Sequence, residues 1–124
     1  MLSLAFCNID EYGADSLFEI IIYQSSKLQE LNISGNPIKN EGAIKVFQAL
    51  GAAKTMQSIL MADCEFDESE NVMEALKFSM TTNKVLSRYE LKHNAITSDE
   101  SIEFLCQTLE STPHVHTIGL SEWI

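Results

Sequence analysis

Residues 28–42 read LQELNISGNPIKNEG, with leucine or isoleucine at positions 28, 31, 33 and 38 and an asparagine at 36. Neither a 3.6-residue nor a two-residue period accounts for that spacing over its whole length. A composite unit does: a short strand that turns sharply into a loop and then a helix.

The unit recurs along the chain. Met56, Ile59, Met61, Cys64 and Phe66 fill the same slots, as do Leu86, Tyr89, Leu91, Asn94 and Ile96. Leu2, Leu4, Cys7 and Ile9 supply the end of the template at the amino terminus. Val115, Ile118 and Leu120 supply its beginning near the carboxyl terminus. The Asn/Cys slot falls at 7, 36, 64 and 94, in steps of 29, 28 and 30 residues.

Between the templates the period changes to that of an amphipathic helix. Ala14, Leu17, Phe18 and Ile21 form one apolar stripe, repeated by Ala43, Val46, Phe47 and Leu50 and by Ile102, Leu105, Cys106 and Leu109. In the third unit Val72, Ala75 and Leu76 keep the stripe and Ser79 weakens it. Asp67 with Glu70 and Thr97 with Glu100 have capping-box spacing and predict two helix starts.

This pattern resembles the ribonuclease-inhibitor-like class of leucine-rich repeats, and the resemblance covers nearly the whole chain. It implies an α/β right-handed solenoid of about four strand–helix units, a curved parallel sheet with helices on the convex side. Residues 1–124 are expected to form a single leucine-rich-repeat domain, complete or a fragment of a longer array. The residues that carry the resemblance are the column Cys7, Asn36, Cys64 and Asn94 and the glycines Gly13 and Gly42. Glu70 or Asn71 and Glu100 or Ser101 stand where glycine would fall, which predicts loops differing by about a residue in the third and fourth units.

The Asn/Cys column has a physical reason of its own. Where the backbone bends after the strand, inward N–H and C=O groups need partners in a dry interior. Asparagine serves both, and cysteine packs beside it with a weak thiol donor. Cys7 and Cys64 lie two units apart, roughly 10 Å at strand spacing, too far for a disulfide. All three cysteines are therefore expected to be reduced and buried. That predicts an intracellular, cytoplasmic setting, and no charged segment followed by an apolar run marks a secretory signal. In this setting the sequon Asn32-Ile33-Ser34 reads as exposed strand residues.

With 124 residues, 45% of them hydrophobic, the chain can bury one core. Eighteen acidic against eight basic residues give a net charge of −10, which repels phosphate backbones and anionic membranes. The expectation is no nucleic acid and no membrane partner, and LFEIIIY is too short to span a bilayer.

Several stretches imitate chemistry. Asp63, Glu65, Asp67, Ser69, Asn71 and Glu74 match ligand positions of a calcium loop, but Glu68 replaces the turn glycine and Glu70 the usual apolar residue. His114 and His116 would share one side of a strand, two of the three ligands a metal needs. No nucleophile–base set converges, so the chain is read as no enzyme, with no cofactor and no metal. The class includes activators of Ran-type GTPases. The single arginine, Arg88, sits at a strand start beside Glu90 rather than on a mobile loop, which argues against an arginine finger.

The strand positions alternating with the buried ones define where a partner would dock. They are Ser3 and Ala5; Glu30, Asn32 and Ser34; Ser58, Leu60 and Ala62; Arg88, Glu90 and Lys92; Thr117, Gly119 and Ser121. Ala5, Ser34 and Ala62 make a small column, with Leu60 as apolar anchor, Arg88 and Lys92 as charged edges, and Phe6 as the aromatic contact at the rim. A solvated strand surface is the plainer reading of the same residues. The functional expectation is a non-catalytic interaction module, a scaffold for a protein or peptide partner of unknown identity. The alternative is a structural subunit joined through uncapped ends, by self-association or neighbouring repeats. Leu2 and Leu4 already occupy core slots at the first strand, and Trp123 and Ile124 stop inside a fifth template or fold back as a small cap.

Overall fold

The computed structural model describes residues 1–23 and 27–120. Strands β1 (Leu2–Ser3), β2 (Glu30–Asn32), β3 (Ser58–Leu60), β4 (Arg88–Glu90) and β5 (Thr117–Gly119) alternate with helices α1 (Ala14–Tyr23), α2 (Lys39–Leu50), α3 (Glu70–Thr82) and α4 (Asp99–Glu110). The strands form one parallel sheet in sequence order, as the strand–helix repeat requires. The register aligns Leu31, Ile59, Tyr89 and Ile118 across the sheet, with Glu30, Ser58, Arg88 and Thr117 beside them. Inward residues are thus stacked in columns at the repeat period, and Leu31, Ile59 and Tyr89 are completely buried.

The core lies between sheet and helices. Leu17, Ile21, Val46, Phe47, Leu50, Val72 and Leu76 come from the helices, and Ile38, Met61, Phe66 and Leu91 from the strand–loop templates. Phe47 and Phe66 meet edge to face, ring centres 6.0 Å apart at 85°. Ala14 also packs inward, but Phe18 is 37% exposed, so the α1 stripe is narrower than its spacing predicts.

After each of the first four strands the chain passes through the left-handed region at Phe6, Gly35, Asp63 and His93, with φ from 55° to 75°. This is the sharp turn of the repeat. Glycine fits it at position 35 without penalty, whereas Phe6 holds it as an aromatic residue. Gly13 and Gly42 follow a different logic. A Cβ at Gly13 would lie 2.8 Å from Ile9, and one at Gly42 2.6 Å from Ile38 and 3.2 Å from Ala14. They let a helix start rest directly on the last apolar residue of its own template.

The helix starts differ from those predicted. The N-cap of α3 is Ser69, and Asp67 instead accepts from the Ser69 N–H at 2.9 Å, a local turn before the helix. The N-cap of α4 is Ser98, whose hydroxyl oxygen accepts from the Ser101 N–H at 3.1 Å. Thr97–Glu100 is therefore not a capping box. The α4 stripe is also displaced. Ser101, Leu105 and Thr108 are buried, while Ile102 is 37% exposed and Cys106 is exposed. Among the described residues α4 has a helix neighbour on one side alone, so its buried stripe turns toward α3 and the sheet. Ser121, Trp123 and Ile124 lie outside the described residues, and with them the question of a terminal cap.

Ser79 looked like a flaw in the α3 stripe, yet it is buried and pairs with the Tyr89 hydroxyl at 2.8 Å. Burial pushes the Tyr89 phenol well above its usual range, so it stays protonated. A polar residue in a helix stripe and a tyrosine in an inward strand slot, each odd alone, satisfy one another.

Candidate functional site

The turn column works as a polar spine. Asn36 accepts from the N–H groups of Cys7 at 2.9 Å and Ile9 at 3.0 Å, and donates to the carbonyls of Leu4 at 2.9 Å and Ile33 at 2.8 Å. Asn94 repeats this for the third unit, accepting from Cys64 N–H at 2.9 Å and donating to Met61 and Leu91 carbonyls at 2.8 and 3.1 Å. Each asparagine thus satisfies its own unit and the preceding one, whose turn carries the cysteine. Cys64 donates its thiol to the Ile33 carbonyl at 3.3 Å, which links the second and third units.

All three cysteines are free, but only Cys64 is buried; Cys7 and Cys106 are exposed. This corrects the expectation of three buried thiols. Cys64 has units on both sides, Cys7 sits in the first unit with a covering neighbour on one side, and Cys106 lies on the outward side of α4. Burial pushes the Cys64 thiol up to about 11. Thiol titration of the native protein should therefore modify Cys7 and Cys106 quickly and Cys64 only on unfolding. Fast labelling of Cys64, read by peptide mass, would contradict this packing.

On the side of the sheet away from the helices, Asn32, Leu60, Glu90 and Gly119 align in one row. The predicted face residues are brought together there: Glu30, Asn32, Ser34, Ser58, Leu60, Ala62 and Glu90 are half-buried, while Arg88 and Lys92 are exposed. Some are already engaged. Asn32 Oδ1 accepts from the Ser34 N–H at 3.0 Å, and Ser34 Oγ accepts from the Ala62 N–H at 3.0 Å. Arg88 Nη2 lies 3.7 Å from Glu90 Oε2, and Glu90 Oε1 accepts from the Lys92 N–H at 3.2 Å. The Glu90 carboxylate occupies the space that a Cβ on Gly119 would fill, so glycine in β5 makes room for it. Phe6 is 78% exposed and its ring lies across Gly35, at the rim where the strands turn.

The imitated metal sites dissolve into structure. Asp67 Oδ1 accepts from the Asn40 amide at 3.0 Å while Asn40 Oδ1 accepts from the Asp67 N–H at 2.8 Å, a clasp between the second and third units. Asn71 and Glu74 sit on α3, away from the loop. His114 Nε2 lies 3.0 Å from the Met80 carbonyl and both histidines precede β5, so they do not share a strand face. Among the described residues, no group of three or more His, Cys, Asp or Glu is arranged to hold a metal. Among the same residues no helix is long and apolar enough to cross a membrane.

Glu68, noticed in the sequence only as a misfit in the calcium template, bridges the third and fourth units. Its carboxylate accepts from the hydroxyls of Ser101 and Ser98 and, at 3.1 Å, from the Ser98 N–H, capping α4 from the neighbouring unit. The Ser101 hydroxyl first, then Ser98, hold its pKa at about 2, below the usual 4.5. A depressed folded value means the stabilisation is complete above about pH 4.5 and is lost as pH falls toward 2. Urea midpoints of wild type and Glu68→Gln should differ at neutral pH and converge across that window. A constant gap would refute the cap.

The family model of the leucine rich repeat matches residues 24–47. The human NACHT, LRR and PYD domains-containing protein 13 is 28% identical over 122 residues, 98% of this chain but 11% of that protein's length. Two solved structures share the fold. The actin-binding site 2 fragment of leiomodin-1 superposes with a TM-score of 0.79 at 12% identity, over all of this chain and 72% of that one. The tropomodulin C-terminal domain of Caenorhabditis elegans superposes with a TM-score of 0.82 at 10% identity, over 99% of this chain and 74% of that one. Repeat spacing, parallel sheet and these likenesses agree: the chain has an α/β solenoid fold like that of leucine-rich repeat proteins.

Proposed function

We propose that this chain is a non-catalytic protein-interaction module that receives its partner on the open face of the sheet. The observation that carries the reading is the composition of that face. The small column Ala5, Ser34 and Ala62 would let another backbone approach closely, Leu60 would anchor it, and Arg88 and Lys92 offer cations on a chain of net charge −10. The leiomodin-1 fragment is named for binding actin, and a protein partner of some kind fits the shared scaffold. Arg88 is turned toward Glu90, which fits a surface ion pair better than an arginine finger. Two exposed free thiols suit a reducing, intracellular compartment.

The test is capture of partners from source-cell extract with wild type, Leu60→Glu and Lys92→Glu. Both substitutions should change stability by no more than about 0.5 kcal/mol and abolish recovery of the same protein. Undiminished recovery by both folded variants would overturn the open-face reading.

A second reading has its own observation. Ile102 and Cys106 are exposed on α4, and Phe104, Leu109, Ile118 and Leu120 are only partly buried, while the matched human protein is far longer than this chain. Further repeats or a second copy would cover that edge. Concentration-dependent dimers in sedimentation, lost on Ile102→Glu, would favour contact through the ends; a monomer at every concentration would favour the open face alone.

A further inference from the structure

The helical side of the solenoid carries a second surface that the open-face reading does not use. Helices α1, α2 and α3 lie side by side, with α2 between the other two. Ile44 and Gln48 of α2, Phe18 of α1 and Ala75 and Phe78 of α3 line one groove. Phe18 and Phe78 are 37% and 46% exposed, and Ile22, one turn beyond Phe18, is 39% exposed. A water-facing helix surface ordinarily carries polar side chains, so aromatic and aliphatic groups converging from three helices form an unpartnered apolar strip.

The rim of the groove is acidic. Glu74 lines it directly. Asp15 lies one turn from Phe18, and Glu41 one turn from Lys45. The Lys45 ammonium, one residue on from Ile44, is held by Asp15 at 2.8 Å. The neighbouring Lys77 is turned away, over the Phe104 ring at 5.6 Å.

We propose that this groove docks a basic amphipathic helix of a partner protein. An apolar stripe spaced i, i+4, i+7 would lie between the two phenylalanines over Ile44, and flanking lysines or arginines would meet Glu74 and Glu41. A second copy of this chain fits poorly, because two molecules of net charge −10 would bring like-charged rims together.

A fluorescent peptide of about 18 residues, five helical turns, with leucine on one face and lysine on the other, is a sufficient probe. Its anisotropy titration is run against wild type, Phe78→Ala, Glu74→Lys and the opposite-face variant Leu60→Glu, each checked by circular dichroism. Saturable binding is expected, weakened roughly tenfold by Phe78→Ala and several-fold by Glu74→Lys at low salt, and unchanged by Leu60→Glu. Equal binding of a scrambled peptide of the same composition would overturn the proposal, since that reads charge alone. So would indifference of binding to both groove variants, or dimers of the free protein that Phe78→Ala dissolves. Glu74→Lys keeps the test decisive if Phe78→Ala perturbs packing, since it replaces one exposed helix residue by another.

Discussion

Asn94→Ala should destabilise the chain by about 3 kcal/mol, more than any substitution on the open face of the sheet. Asn94 is 4% exposed, and its amide holds the Cys64 N–H and the carbonyls of Met61 and Leu91, with the Lys92 carbonyl further off at 3.4 Å. Alanine leaves these groups without that partner inside the solenoid, and each buried orphan costs about 1–3 kcal/mol before relaxation. Asn36→Ala removes four equivalent bonds but should cost less, about 2 kcal/mol, because its N–H partners Cys7 and Ile9 lie in the more exposed first unit, where water can replace it. Asn94→Asp should be at least as damaging as alanine, since a carboxylate oxygen would then face the Met61 and Leu91 carbonyls. Urea unfolding at constant m-value measures all three. A loss below about 0.5 kcal/mol for Asn94→Ala would mean that the spine does not bear on stability.

That spine was legible before any coordinates because a repeat displays the same environment several times. Cys7, Asn36, Cys64 and Asn94 recur at one slot, so a single physical demand, pairing the bent backbone, could be read from the column. The strand faces were legible for the same reason: a two-residue period leaves no choice of side once Leu31 and Ile33 are inward. Helix starts were not, because capping depends on which side chain meets which N–H: the Ser98 hydroxyl takes that role in α4 in place of Thr97, while Ser69 stands at the N-cap of α3 without a side-chain bond. The α4 stripe was misread by about one position because its spacing admits two rotations, and the packing partner that selects one is set by tertiary structure.

Glu68 marks a different limit. Its partners Ser98 and Ser101 lie one repeat further on, so pairing them required reading polar residues in columns, as was done for the apolar ones. Asn40 aligns with Glu68 and Ser98 when the units are superposed, and Asn40 too clasps a neighbour, Asp67. A polar loop column was therefore present as a signal. The likeness of Asp63–Glu74 to a calcium loop drew the same residues into a competing pattern.

Ser79→Leu supplies the sharpest contrast between pattern and packing. Judged by the stripe of α3, leucine is the residue that belongs there, and it would complete the series Val72, Ala75, Leu76. Judged by contacts, it should destabilise the protein by about 2–6 kcal/mol, the sum of two costs. Ser79 is fully buried beneath Tyr89, which is also fully buried, so three extra carbons must displace packed atoms, at about 1–3 kcal/mol. The Tyr89 hydroxyl would also lose its partner in a dry setting, at about 1–3 kcal/mol more. The second cost can be separated from the first. Ser79→Ala should carry only the orphaned phenol, and adding Tyr89→Phe should recover most of that loss, because removing both polar groups leaves an apolar contact. The double variant should therefore unfold at a urea concentration close to that of wild type, while Ser79→Leu stays well below even with Tyr89→Phe. If Tyr89→Phe instead added to the damage of Ser79→Ala, the two hydroxyls would not be partners, and Ser79 would be tolerated in the stripe for a reason other than the bond to Tyr89.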